Sequence, residues 1–135
     1  MAHFLVKTEP STYSFADLKR DKKTVWDGVS NPVALKNLAT IKKGDTVVVY
    51  HTGDEKQAVG LAVATSNAYA DPKLNNPKRL VIDLKFDRAL PQPVTLAQAK
   101  ADAVLKANDL ARLPRLSVIP FTEAQFERLL RLAGA

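Results

Sequence analysis

Three β-prone runs follow one another between residues 45 and 90, and nothing between them reads as a helix. They are Asp45 to His51 (DTVVVYH), Gln57 to Thr65 (QAVGLAVAT) and Arg79 to Leu90 (RLVIDLKFDRAL). Parallel neighbours need a crossover of about a dozen residues or more, usually a helix, whereas antiparallel neighbours accept a short turn. The middle of the chain is therefore expected to form an antiparallel or mixed, curled sheet, and the pattern argues against a doubly wound one. Thr52-Gly53-Asp54-Glu55 suits a hairpin connection, and residues 71–78 (DPKLNNPK) read as a polar, proline-bearing loop. Gly60 interrupts the second run, which predicts either a bulge or a close approach by a ligand. In the third run Leu80, Ile82, Leu84 and Phe86 alternate with Val81, Asp83, Lys85 and Asp87, the mark of a half-buried strand.

Helical signals flank this block, which makes the class α+β. His3 to Thr8 reads as a strand stopped by Glu9-Pro10. Ser14 caps a helix that ends near Arg20 or Asp21, and Asn31-Pro32 places a capping side chain before a proline at the first helical position. Val33, Leu35, Leu38 and Ile41 supply its apolar positions, and Lys43-Gly44-Asp45 ends the segment. After Pro91 and Pro93, Thr95 and Gln98 form a capping box; Thr122 and Gln125 form another. The second opens a helix with Phe126, Leu129, Leu130 and Ala133 on one face and Gly134 at its end. Ala103 to Leu113 reads as an irregular amphipathic piece, and Ser117 to Pro120 as a short strand. With 135 residues and no internal repeat or linker, the expectation is one domain spanning residues 1–135.

Chemistry is scarce. There is no cysteine and there are two histidines, so neither a disulfide, a thiol nucleophile nor a transition-metal site is expected. Glycine-rich phosphate loops, GxSxG and HExxH motifs are absent, and no cofactor is expected. No apolar run approaches the roughly 20 residues that span a bilayer. The N-terminal residues do not read as a secretory signal, so the expected location is cytoplasmic, or nuclear in a eukaryote. A net charge of +6 and a pI near 9.7 raise the odds of a polyanionic partner. Residues 1–43 hold eight basic side chains against four acidic ones, including Lys19, Arg20, Lys22 and Lys23. That cluster is open to two readings, a solvated helix end or a phosphate-facing patch.

Four segments carry a resemblance. Phe4 to Pro10 (FLVKTEP) is followed by Ser11-Thr-Tyr13, then come Val25-Trp26-Asp27-Gly28-Val29, Val49-Tyr50-His51-Thr52, and Arg115-Leu116-Ser117-Val118 with Pro120. In this order and spacing they resemble the EVE domain, of the PUA-like superfamily, along nearly the whole chain. The resemblance implies a curled, barrel-like mixed sheet flanked by short helices, a non-enzymatic role, and a pocket for a flipped nucleobase, with modified cytosine or adenine as ligands. It also implies an architecture similar to YTH domains, which hold methylated adenine of RNA in an aromatic cage. One departure concerns the rim. Family members often carry Arg after Trp-Asp-Gly-Val and then Asn-Tyr-Gln-Ala-Arg, where this chain has Ser30, Asn31, Pro32, Val33, Ala34 and Leu35. Asn31 and Ala34 match; two arginines and a tyrosine are missing, and Lys36 and Lys7 are the candidates to replace them.

On this resemblance the expected base pocket comprises Lys7, Thr8, Glu9, Pro10, Trp26, Asp27, Gly28, Val29, Asn31, Tyr50, His51 and Ser117, with Lys36 and Arg115 at a phosphate rim. Trp26 would stack on a base, although without the resemblance it reads as a core aromatic. Gly28 would let the chain turn beside it without filling the cavity. Asp27 would accept from an exocyclic amine or cap its own turn, and Asn31 would read a base edge or cap the following helix. Pro10 ends the first strand and leaves free backbone groups near Thr8. Two alternatives stand beside the modified-base reader. One is a PUA-like RNA-binding module without modified-base preference; the other is a small nucleotide-processing enzyme built on Lys7, Glu9 or His51.

Overall fold

Every residue of the segment Thr46–His51 is buried, because the run of three valines lies inside a sheet covered on both faces. The computed structural model describes residues 2–135. In chain order its elements are β1 (His3–Thr8), α1 (Phe15–Asp21), β2 (Lys23–Trp26), α2 (Pro32–Leu38), β3 (Thr46–His51), β4 (Gln57–Ala64) and β5 (Tyr69–Ala70). There follow β6 (Leu80–Thr95), α3 (Leu96–Ala101), a 3-10 turn (Leu105–Ala107), α4 (Asp109–Arg112), β7 (Val118–Phe121) and α5 (Glu123–Leu132). The strands form one curled, unclosed sheet in the order β2-β6-β4-β3-β1-β7, with β5 paired to β6. All pairings are antiparallel except β1 with β3, which run parallel from His3 opposite Thr46 to Thr8 opposite His51. This is the mixed α+β sheet expected from the sequence. No helix among the described residues is long and apolar enough to cross a membrane.

The expected capping boxes are present. Ser14, Thr95 and Thr122 each accept from the backbone three residues on, and Asp17, Gln98 and Gln125 reach back to the cap. Asn31 caps α2, its Oδ1 accepting from Val33 N at 2.9 Å and Ala34 N at 3.1 Å. The segment 103–113 is irregular because two polar side chains divide it. Buried Asp102 caps the 3-10 turn through Val104 N and Leu105 N and holds Arg128 Nε of α5 at 2.7 Å. Buried Asn108 then caps α4 through Leu110 N at 2.8 Å.

Four details depart from the sequence reading. The strand expected to stop at Leu90 runs on to Thr95 despite Pro91 and Pro93. Opposite Ala58 and Gly60 of β4, its partners are Val94 and Ala89, so the residues between them face no ladder partner. Both prolines sit in that bulge, where a missing N–H breaks no pairing. In α2 the buried residues are Ala34 and Leu38, whereas Val33 is 53% exposed. The short strands β2 and β5 have no counterpart in the sequence reading, because they carry too few residues to show periodicity. At Gly60 the expected bulge is present, since the register shifts there on both sides of β4, but the close approach comes from the protein itself: a Cβ there would run into the Phe15 ring.

Phe15 thus seats α1 on the sheet, over Gly60 and against Phe86, whose ring centroid is 5.2 Å away. Gly60→Ala is expected to cost about 1–3 kcal/mol by overpacking. Phe15→Leu in the same chain should recover part of that loss. Urea unfolding of the two single variants and the double variant measures the coupling, and strictly additive effects would contradict the packing of Phe15 on Gly60.

Candidate functional site

Among the described residues, an open cleft of about 590 Å³ lies between the end of the first strand and the edge of the sheet. One wall is the end of β1 and the turn after it, with Lys7, Thr8, Thr12 and Tyr13. The other is β2 and its continuation, with Thr24, Val25, Trp26, Asp27 and Gly28, and Lys73 closes one side. The volume falls in the usual range for small-molecule sites.

Local sequence explains how the first wall is held. Pro10 ends β1, and the chain turns so that Thr12 N and Tyr13 N both donate to Glu9 O at 2.9 Å. The Thr8 hydroxyl donates to Tyr13 O at 2.6 Å. Beyond Tyr13 the helix is anchored through His51, whose Nε2 accepts from Phe15 N at 3.0 Å. An accepting Nε2 leaves the ring proton on Nδ1, which donates to Glu55 Oε1 at 3.0 Å and holds that carboxyl below its usual range. The Tyr13 hydroxyl donates to Asp21 Oδ2 at 2.9 Å, and Arg20 bonds both Asp21 and Asp17. Tyr13 is therefore tied at its carbonyl to Thr8 and at its hydroxyl to the end of α1.

The second wall is the edge of the sheet. Trp26 pairs with Ile82 of β6, is 8% exposed, belongs to the core and also lines the cleft. The Tyr13 ring meets it edge to face at 6.3 Å and 82°. Gly28 has φ of +78°, and a Cβ there would meet nothing within 4 Å, so its role is backbone conformation in an open turn. Asp27 is exposed at the mouth. Lys7 supplies a half-buried cation at the floor. Its Nζ donates to Pro114 O at 2.9 Å and lies 5.5 Å from the Tyr50 ring centroid, and burial lowers its pKa below the ordinary lysine value.

Of the residues expected from the sequence, the cleft brings together Lys7, Thr8, Trp26, Asp27 and Gly28. The others lie elsewhere. Tyr50 is buried beneath Lys7, and Val29 is buried in the core. His51 has both ring nitrogens engaged, and Asn31 caps α2. Ser117 serves through its backbone, its carbonyl accepting from Lys7 N at 3.0 Å. The Glu9 carboxylate takes the Ser11 hydroxyl at 2.8 Å and packs beside Gly53. Pro10 is partly exposed next to it, and Lys36 and Arg115 lie outside the cleft lining. The side chains of Lys7, Glu9 and His51 are each engaged by different partners. Thr12, Tyr13, Thr24, Val25 and Lys73 line the cleft as well, beyond the residues expected from the sequence. Tyr13 and Val25 stand within the family-like segments, whereas Lys73 lies in a loop with no local signal.

The family model for the EVE domain matches residues 2–132. Human thymocyte nuclear protein 1 is 29% identical over 165 residues, spanning 97% of this chain and 73% of that protein. The NMR structure of Rpa0253 from Rhodopseudomonas palustris is 34% identical with a TM-score of 0.93, covering 99% of this chain and 94% of that one. Human THYN1 protein, solved in complex with 5-methylcytosine-containing DNA, is 29% identical with a TM-score of 0.91, covering 100% and 99%. The YTH domain of Zygosaccharomyces rouxii MRB1, solved with N6-methyladenosine RNA, shares the fold at 16% identity and a TM-score of 0.59, covering 98% and 86%.

The tyrosines test this packing directly. Burial pushes up the Tyr13 hydroxyl, with Asp21 and Asp17 adding to the rise and a hydrogen bond with Thr24 opposing it; burial alone pushes up Tyr50. Tyr69 is pushed up to about 12, mainly by its hydrogen bond to Asp83 at 2.6 Å. A raised folded pKa contributes stability fully below the unfolded value near 10, and the contribution is lost as pH climbs through the folded value. Ultraviolet titration of the folded protein should show no tyrosine ionising below pH 10 and one only near 12. A tyrosine titrating at the free value would place it outside these contacts.

Proposed function

The chain belongs to the EVE domain family, and from that membership we propose that it is a one-domain nucleic-acid-binding module that takes a modified nucleobase into the cleft. The observation that carries this reading is the convergence of Trp26 and Tyr13 with Lys7 and Asp27 on one recess of about 590 Å³. Aromatic surface accepts the face of any base, and stacking is worth about 1–3 kcal/mol per base by truncation. Asp27 and the Thr8 hydroxyl oxygen offer acceptors to an exocyclic amine, while Lys7 keeps donors beyond the one given to Pro114 O. Human THYN1 bound to 5-methylcytosine-containing DNA supports modified cytosine as the first ligand to try. The fold shared with a YTH domain bound to N6-methyladenosine RNA makes methyladenine the second. Burying one methyl group adds about 0.8 kcal/mol, roughly a fourfold preference. A non-catalytic role is supported by His51, which is occupied at both ring nitrogens and stands outside the cleft lining. A base reader works where nucleic acid is found, in the cytoplasm or in a eukaryotic nucleus.

Flipping a base out of a duplex costs a few kcal/mol, and less from a mismatch or a single strand. A strand carrying one 5-methylcytosine should therefore bind more tightly than its unmodified twin, and more tightly unpaired than fully paired. Fluorescence titration at about 50 mM salt, with DNA and RNA versions of each strand, measures both differences. Equal affinity for modified and unmodified strands sinks the modified-base reading, and a requirement for the 2′-hydroxyl selects an RNA module instead.

Trp26 cannot serve as a clean probe, since truncating a buried aromatic costs about 3–5 kcal/mol of stability. Tyr13→Ala is the better variant, because the ring stands at the cleft and its hydroxyl bonds an exposed carboxylate. It should stay folded and lose affinity for the modified strand by about 5- to 150-fold, the equivalent of one stacking contact. A folded variant with full affinity would remove Tyr13 from the binding wall.

A further inference from the structure

Lys23 of β2 stands directly opposite Lys85 of β6. The neighbouring residue Phe86 donates its N–H to Lys22 O at 2.8 Å, which makes 22 and 86 a hydrogen-bonded pair. The alternation of an antiparallel ladder then makes Lys23 and Lys85 a non-hydrogen-bonded pair, the kind with Cα atoms only about 4.5 Å apart and side chains closest. Both side chains are exposed on the same face of the sheet. Like charges in this position destabilise a sheet. Among the described residues no carboxylate comes within 4.0 Å of either ammonium. The acids that could have neutralised them are committed elsewhere: Asp21 holds Arg20 and Tyr13, and Asp83 holds Tyr69. Asp87, two residues beyond Lys85 on β6, forms no ion pair with either lysine.

The pair adjoins the cleft, since Thr24 and Val25, the next residues of β2, form its wall. Two strand residues span about 6.6 Å, which is the scale of one nucleotide step. We infer that Lys23 and Lys85 together form a phosphate subsite that grips the nucleic-acid backbone beside the base held in the cleft. This rests on the nucleic-acid reading above and adds a backbone grip to it. The subsite separates the basic cluster of residues 19–23 into parts: Arg20 is neutralised by Asp17 and Asp21, whereas Lys23 is left to an external anion. A phosphodiester between the two ammonium groups relieves their repulsion and releases condensed counterions from the strand.

Lys23→Glu tests this, because it turns a repulsive pair into an attractive one. The variant should melt at a higher temperature than the native chain in phosphate-free buffer and yet bind an oligonucleotide more weakly. Its log–log salt slope should fall by about 0.7–0.9 for each phosphate that the variant no longer neutralises. Inorganic pyrophosphate, followed by amide NMR, should shift Lys23, Thr24 and Lys85 in the native chain and leave them unmoved in the variant. Pyrophosphate shifts spread evenly over all surface lysines, or an unchanged salt slope in Lys23→Glu, would overturn the subsite. The two readings fail separately. Equal binding of modified and unmodified strands with a localised pyrophosphate response removes the base pocket only; intact base preference with an unchanged slope in the variant removes the phosphate subsite only.

Discussion

The parallel pairing of β1 with β3 is the constraint from which the rest of the molecule follows. Two strands that run the same way cannot be joined by a tight turn, so the chain must leave β1 after Thr8 and come back beside it only at Thr46. Most of the cleft is built from that excursion. Thr12 and Tyr13 lie just after its departure, and Thr24 to Gly28 lie on the short strand it adds to the far edge through β6 and on that strand's continuation. β3, β4 and β6 are antiparallel neighbours with local connections, and β7 adds antiparallel to the other side of β1 from far along the chain. They supply a platform, and the crossover supplies a wall and an edge that face each other.

That arrangement holds only because α1 is fixed to the platform at one end. Phe15 rests over Gly60, its amide is received by His51, and Glu55 orients the imidazole. Two residues upstream, Tyr13 is carried to the cleft and steadied by Asp21 and Arg20. Trp26 joins the two regions, since it is packed in the core and lines the recess. Core and cleft thus share side chains, and the position of the cleft wall depends on packing that lies outside the cleft.

Electrostatic selection works at the same level. The chain carries a net charge of +6, but the number alone does not say which cations face outward without a partner. Arg20 and Arg128 are held by carboxylates, and Lys7 is held by a carbonyl and an aromatic face. Lys23 and Lys85 oppose each other across a strand pair. A formal charge becomes a surface property only after these pairings are subtracted.

Local chemistry is legible in the sequence wherever a residue acts on its near neighbours. The helix starts at Ser14, Asn31, Thr95 and Thr122 are capping patterns within three residues, and the central strands announce themselves by apolar runs and alternation. The Trp26-Asp27-Gly28 segment and Lys7-Thr8, singled out in the sequence through a family pattern, meet in the cleft. What sequence does not show depends on partners far along the chain. The continuation of β6 through two prolines needs the bulge opposite Ala58 and Gly60, and the reason for Gly60 is the Phe15 ring on a distant helix. His51 stands in a family-like segment and reads as available, but a helix start and a turn carboxylate claim both its nitrogens. Lys73 reaches the cleft, and Lys85 its border, only once the sheet has assembled. Periodicity and capping are written in consecutive residues; which groups remain free to bind is decided by long-range pairing, because a buried or charged group takes whatever partner the folded chain brings to it.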